Sequence, residues 1–195
     1  MKRVVLQEFV TLDGFAAGPN NNVDFIPASM GGDTSFGEEQ VALMEKTDTL
    51  LLGRITYGMF AGYWPNVTQG AEQPFADKWN GLSKVVFSKT LDRAPWGKWS
   101  EGRIVRGNAV DEVTRLKKES GKDMLISGSI SLAQSLIDKG LVDEYRLVVC
   151  PVVLGKGRPL FRDNGGPIQM ELVNAKAKDR GAVSLVYRYR GAAVD

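Results

Sequence analysis

The 195-residue chain contains no histidine and a single cysteine, and these two scarcities remove more chemistry than any motif adds. Without imidazole there is no Ser-His-Asp triad, no Cys-His pair, no His-ligated zinc and no histidine general base. The one cysteine, Cys150, rules out an internal disulfide and a multi-thiolate metal site. Lying in Leu147-Val148-Val149-Cys150-Pro151, it reads as a small buried hydrophobe near a strand end. No metal centre is expected. Protons for any reaction must come from carboxylates, Tyr, Lys or bound water, a restriction that suits chemistry whose hard step belongs to a cofactor.

Long apolar runs are missing as well. No stretch approaches the ~20 residues needed to span a bilayer, and Glu8 interrupts the opening Val4-Val5-Leu6 too early for a signal-peptide core. A cytoplasmic protein is expected. A charge excess is also lacking: 25 Lys and Arg against 23 Asp and Glu leave a formal net charge of +2, spread along the chain. That balance carries no electrostatic footprint for nucleic acid or an anionic membrane. With 43% hydrophobic and 25% charged residues, the length suits one well-packed domain spanning 1–195.

Strand patterns recur at Arg3–Val10, Thr49–Leu52, Lys84–Ser88, Arg103–Arg106, Lys122–Ser127, Asp143–Cys150, Met170–Ala175 and Val183–Arg190. Between them lie helix signals. Ser35 and Glu38 form a capping box opening a helix to about Thr47, and Asn108 caps another that Gly121 terminates. A third runs from about Ser129 to Lys139, and a shorter one has Pro74 at its first position. Strand and helix alternate through the first two thirds, and strands alone follow. The order predicts a mixed, mainly parallel sheet flanked by helices and closed by antiparallel C-terminal strands.

Two strand-to-helix junctions stand out. Thr49-Leu50-Leu51-Leu52-Gly53-Arg54-Ile55-Thr56-Tyr57 is echoed by Asp123-Met124-Leu125-Ile126-Ser127-Gly128-Ser129-Ile130-Ser131-Leu132. Each ends an apolar run at a glycine, where backbone can approach an anion closely. Each then offers unpaired helix N–H groups with Arg, Ser or Thr donors beside them. Together they favour a nucleotide with two charged ends. Arg54 suits a phosphate, or as a structural residue would want a carboxylate such as Asp48.

In family order, several segments resemble the dihydrofolate-reductase-like superfamily, especially the reductase domain of the bifunctional riboflavin-biosynthesis deaminase/reductase. They are Thr11-Leu12-Asp13-Gly14-Phe15-Ala16, Leu52 to Tyr57 with Trp64-Pro65, Lys84 to Leu91, Ile126 to Ser129, and Leu141 to Gly157. The resemblance implies that fold, an NADPH cofactor across the carboxyl ends of the strands, and a homodimer. It implies cofactor-phosphate contacts from Gly53, Arg54 and Thr56, and adenosine-ribose contacts from Ser88 and Lys89. It further implies a pyrophosphate turn of Ser127, Gly128, Ser129, Ile130 and Ser131. Leu12, Asp13, Phe15 and Ala16 match the loop that flanks nicotinamide and substrate. Trp64 is a candidate pocket wall, with core packing as the alternative.

Two departures bear on substrate. The riboflavin-pathway reductases typically carry a carboxylate before a Gly-Gly pair where this chain has Ser127-Gly128-Ser129. Against dihydrofolate reductase, the region of Asp24, Asp33, Glu38 and Glu39 shows no single obvious acid. The expected activity is NADPH-dependent hydride transfer to a small heteroaromatic or carbonyl substrate, pterin- or pyrimidine-like. Asp13 is the expected proton relay or substrate-orienting group, with a plain turn residue as the alternative. The rival reading is a nucleotide-binding or scaffolding protein that kept the cleft and lost its acid.

Overall fold

Met124, Leu125 and Ile126 are fully buried in succession, the signature of a parallel strand covered on both faces. The computed structural model describes residues 1–30, 34–163 and 167–192, with side chains throughout except at 34, 35 and 192. Asp33 and the Ser35 side chain, one half of the expected capping box, therefore lie outside what is described.

In chain order the elements begin with β1 (Val4–Thr11), β2 (Phe15–Ala17), α1 (Phe25–Met30), α2 (Thr34–Glu45), β3 (Thr47–Gly53) and α3 (Arg54–Tyr63). Next come α4 (Gln73–Gly81), β4 (Ser83–Phe87), β5 (Arg103–Val105), α5 (Ala109–Lys117), β6 (Asp123–Ser127) and α6 (Ile130–Ile137). The chain closes with β7 (Glu144–Cys150), β8 (Arg158–Pro159), β9 (Ile168–Ala177) and β10 (Val183–Ala192). The eight-stranded sheet has the order β5-β4-β3-β6-β1-β7-β10-β9. Neighbours are parallel from β5 through β7, and β10 then pairs antiparallel with both β7 and β9.

All eight expected strands form, their ends shifted by a few residues. The small β2–β8 sheet was too short to show a period, since it pairs only Phe15 with Pro159 and Ala17 with Arg158. At α5 the expected cap is made, the Asn108 side chain accepting from the Val110 N–H at 2.9 Å. Asp111 and Glu112 sit in its first turn and Lys117 in its last, matching the helix dipole.

Two apolar clusters sandwich the sheet. Val4, Leu6 and Val10 of β1 pack with Val113 and Leu116 of α5 and with Leu132, Ala133 and Leu136 of α6. On the other face, Val5, Leu50 and Leu52 pack with Leu43, Met44, Tyr57 and Trp79. Strand alternation therefore aims the even residues of β1 at the α6 side and the odd ones at α2, where the Phe9 and Phe36 rings lie 5.4 Å apart.

The strand order sets the site. The chain leaves β1, builds β3, β4 and β5 outward, then returns to insert β6 between β3 and β1. The carboxyl ends of β3, β6 and β1 thus lie side by side, where ligands of open α/β sheets gather.

Candidate active site

Gly53 and Ser129 close the two junctions against one another. The Gly53 N–H donates to Ser129 Oγ at 3.0 Å, and the Ser129 N–H donates to Thr56 Oγ1 at 3.0 Å. Ser129 is held at φ 55° and Gly128 at φ 59°, so two consecutive residues adopt the left-handed region. A Cβ on Gly128 would lie 3.2 Å from Thr56 Cγ2, so only glycine leaves this turn unstrained.

Neither α3 nor α6 carries a side-chain N-cap. Their leading N–H groups have no side-chain cap, the Leu132 N–H of α6 already donating to the Ser129 carbonyl at 2.8 Å, and both helix starts line one cleft, giving it two positive dipole ends. Arg54 stands exposed there and forms no ion pair with the described residues. The structural alternative for Arg54 is removed because Asp48 is already engaged, by Lys2 Nζ at 2.5 Å and the Lys122 N–H at 2.7 Å. Arg158 adds a second cation, donating to Ser131 Oγ and to Asn21 Oδ1, each at 2.7 Å.

The cleft measures about 1500 Å³. Sites for a single small ligand run to ~300–1,000 Å³, so this one has room for a dinucleotide and a second molecule. Away from the twin turns its walls are Gln7, Glu8 and Phe9 of β1, Ala16 and Ala17 of β2, and an aromatic flank that includes Trp64. Trp64 also packs edge-on against Phe60, Tyr63 and Phe75, so it is both wall and core.

Glu8 is the unusual member. It is 5% exposed, its Oε1 accepts only from the Phe9 N–H at 3.2 Å, and its Oε2 has no partner. Burial pushes its pKa up to about 8, the single backbone hydrogen bond opposing this weakly.

Of the residues singled out in the sequence, Gly53, Arg54, Thr56, Ser127, Gly128, Ser129, Ile130, Ser131, Ala16 and Trp64 come together in this cleft. Leu12, Asp13, Phe15, Ser88 and Lys89 are not among its lining residues. Ser88 Oγ instead accepts from the Thr90 and Leu91 N–H groups, capping a turn, and Lys89 is exposed. Asp13 accepts from Thr11 Oγ1 at 2.5 Å, from the Leu154 N–H at 3.1 Å and from the Gly155 N–H at 2.7 Å. Chiefly the Thr11 hydroxyl, and then these amides, hold its carboxyl below the usual range. As a carboxylate it ties two loops together and is not among the cleft's lining residues, an arrangement that suits the turn-residue alternative for Asp13. Among the other acids, Glu38 lines the cleft, Glu39 is bound by Lys178 at 2.6 Å, and Asp24 accepts from Asn22 at 2.6 Å.

Sequence reasoning singles out neither Glu8 nor Arg158, though both line the cleft. A signal for Glu8 exists, since the period of two places it on the same face as Leu6 and Val10, both core residues. Arg158 gave none, because an exposed Arg in a Gly-rich loop looks like any solvated cation. Among the described residues no group of His, Cys, Asp or Glu is arranged to hold a metal ion, and no helix is long and apolar enough to cross a membrane.

Sheet order, antiparallel closure and cleft position define a dihydrofolate-reductase-like fold. The chain belongs to the RibD C-terminal domain family, whose sequence model matches residues 2–184. It is 35% identical to the uncharacterized protein YyaP of Bacillus subtilis (strain 168), over 97% of this chain and 96% of that one. Among solved structures it resembles a putative riboflavin biosynthesis protein from Shewanella sp. PV-4, with TM-score 0.75, 22% identity and coverage of 97% and 99%. It also resembles dihydrofolate reductase from Enterococcus faecalis complexed with NADP(H), with TM-score 0.60, 13% identity and 97% of each chain covered.

Proposed function

We propose that this protein is a cytoplasmic, NADPH-dependent reductase acting on a small heteroaromatic or carbonyl compound of pterin- or pyrimidine-like chemistry. The observation that carries the reading is the laced pair of turns, Gly53 to Ser129 to Thr56, holding two uncapped helix N-termini at one cleft. Donors of this kind, with no carboxylate capping them, fit a pyrophosphate. Gly53, Arg54 and Thr56 on one side, with Ser127 to Ser131 and Arg158 on the other, would hold the dinucleotide. Lys89, exposed two residues past the cleft-lining Phe87, is the cation for a 2′-phosphate at its margin. When bound in this cleft, NADPH would supply the hydride for the substrate. The chain's own contribution is to fix the two partners at one distance and exclude water along the apolar walls. The fold relative from E. faecalis is described in complex with NADP(H), and membership of the RibD family supports a reductase.

Calorimetry tests the cofactor. NADPH is expected to bind more tightly than NADH, and Arg54→Ala to cost about 1–3 kcal/mol through lost charge-assisted hydrogen bonds. Equal affinities for both nucleotides, with an unchanged mutant, would remove Arg54 from the phosphate site. A screen for NADPH consumption against a pterin, a pyrimidine and a quinone tests catalysis; binding without consumption would favour the scaffolding role.

Self-association belongs to the same reading. β9 is the outermost strand, ten residues long, with Leu172 53% and Val173 48% exposed. Such an edge invites a second copy of the strand. Light scattering is expected to give twice the 21.3 kDa chain mass, and Leu172→Lys to return it to a single chain.

A further inference from the structure

Carboxyl groups that are buried for structural reasons come with partners, because an unpaired one costs more than it contributes. The other acids with low exposure in this fold obey the rule. Glu144, 6% exposed, is held by Arg3 and by Arg146 at 2.7 Å, and Glu112 is bracketed by Arg103 and Arg115. Glu8 breaks it. β6 leaves the sheet at Ser127, opposite Gln7, so Glu8 lies one residue beyond that strand's end, where the Gly128 turn begins. Its register partner on the other side is Leu147, which is apolar. Its own face of β1 is shared with Leu6 and Val10, both members of the apolar core cluster that also holds Ala16 and Leu132. No cation among the described residues is bonded to it, yet the residue lines the cleft beside the twin turns.

Resting on the reductase reading, we propose that Glu8 is the proton donor of the reaction: its Oε2 has no solvent-exposed surface in this conformation, so a turn of the side chain toward the cleft would deliver the carboxyl proton to the nitrogen or oxygen of the C=N or C=O bond being reduced. Hydride addition forms a new C–H bond, and the π electron pair withdraws onto the heteroatom. The Glu8 O–H bond then breaks and its proton makes the new N–H or O–H bond. The two electrons would come from bound NADPH, and the Glu8 carboxylate would recover a proton from water after product departure. Balance thus requires one neutral acid, and a chain without histidine must find it among groups such as a desolvated carboxyl. The apolar pocket keeps Glu8 in that form at neutral pH, where an exposed carboxyl would already be ionised. Other charged groups lining the cleft are Glu38 and Glu45 of α2, Arg54 of α3, Glu72 ahead of α4, and Arg158 of β8. On the adjoining strand, Arg146 is committed to Glu144 at 2.7 Å.

The experiment combines an activity arm and a spectroscopic one, both on the full chain. With whichever of the pterin, pyrimidine and quinone the wild type reduces, the rate is expected to fall as pH rises through about 8. Glu8→Gln should lower turnover by at least ~10²-fold, and Glu8→Asp should recover part of it, with NADPH affinity by calorimetry unchanged. Infrared spectra of the nucleotide-free protein should show a protonated-carboxyl band persisting at pH 7, lost at higher pH and absent from Glu8→Gln. Full turnover in Glu8→Gln, or absence of that band from the wild type, overturns the assignment while leaving the reductase reading intact. A wild type that binds NADPH and consumes none overturns both. Should Glu8→Gln fail to fold, Glu8→Asp and the wild-type band decide.

Discussion

Gly128→Val is expected to reduce NADPH affinity by at least ~10²-fold in a protein that still folds, through steric occlusion and loss of preorganised donors. Two effects coincide at this residue. Its φ of 59° lies where a β-branched side chain is strained, and a Cβ would press on Thr56 at 3.2 Å from Cγ2 and 3.5 Å from Oγ1. Thr56 Oγ1 is the acceptor of the Ser129 N–H, so displacing it unlaces the two turns and swings the first N–H groups of α6 out of line. The core beneath, Leu51 against Ile126, is untouched. Calorimetry with NADPH, beside a thermal melt and circular dichroism, checks both halves. Gly128→Ala is the graded control, bringing the φ strain and the Thr56 contact without the branch. Wild-type affinity in the valine variant would move the phosphate cradle elsewhere. A collapsed valine variant would leave the alanine variant to decide.

How far this site was legible in the sequence follows from what a linear pattern encodes. Buried parallel strands announce themselves as unbroken apolar runs, so Leu50-Leu51-Leu52 and Met124-Leu125-Ile126 are strands and are fully buried. Glycines at their ends mark turns for a local steric reason, and Gly53 and Gly128 do sit together. What no local pattern carries is direction. Asp13 before Gly14 looks the same whether its carboxylate faces a substrate or two loop amides, and only the return of the chain at Leu154 and Gly155 reveals the latter. Ser88 is a similar case, its hydroxyl spent on its own turn. Glu8 shows the converse. A charge on the core face of a strand violates the local pattern, and violations of that kind concentrate where function outweighs stability. Sequence similarity to the riboflavin-pathway reductases pointed at the loop after β1 and away from the strand itself.

The same residue predicts an unusual stability profile, with a minimum near pH 8. A protein without histidine has few side chains that ordinarily titrate between pH 5 and 8, so any slope there must come from perturbed groups. Glu8 is raised from 4.5 to about 8. Between those values the folded state binds the extra proton, so its contribution to stability is complete below pH 4.5 and is lost as pH rises through 8. Lys84 runs the other way. It is 4% exposed, donates to the Asn80 carbonyl and lies 4.7 Å from the Trp96 ring, and burial lowers its pKa from 10.5 to about 8. Its contribution is complete above 10.5 and is lost as pH falls through 8. The lower limb should amount to something on the order of 2 kcal/mol, well below what the whole shift would give at about 1.4 kcal/mol per pH unit, because water and relaxation moderate the desolvation of a buried charge. The upper limb is opposed by Cys150 and Tyr145, both raised by burial, so it is read as the difference between wild type and Lys84→Met. Asp48 and Glu112, whose carboxyls are lowered, act only on the acid side. Urea titrations at intervals from pH 5 to 10 measure the profile. Glu8→Gln is expected to flatten the lower limb, leaving a chain more stable than wild type at pH 8. A wild-type profile already flat from pH 5 to 8 would mean that the Glu8 carboxyl ionises in the folded chain as freely as in the unfolded one.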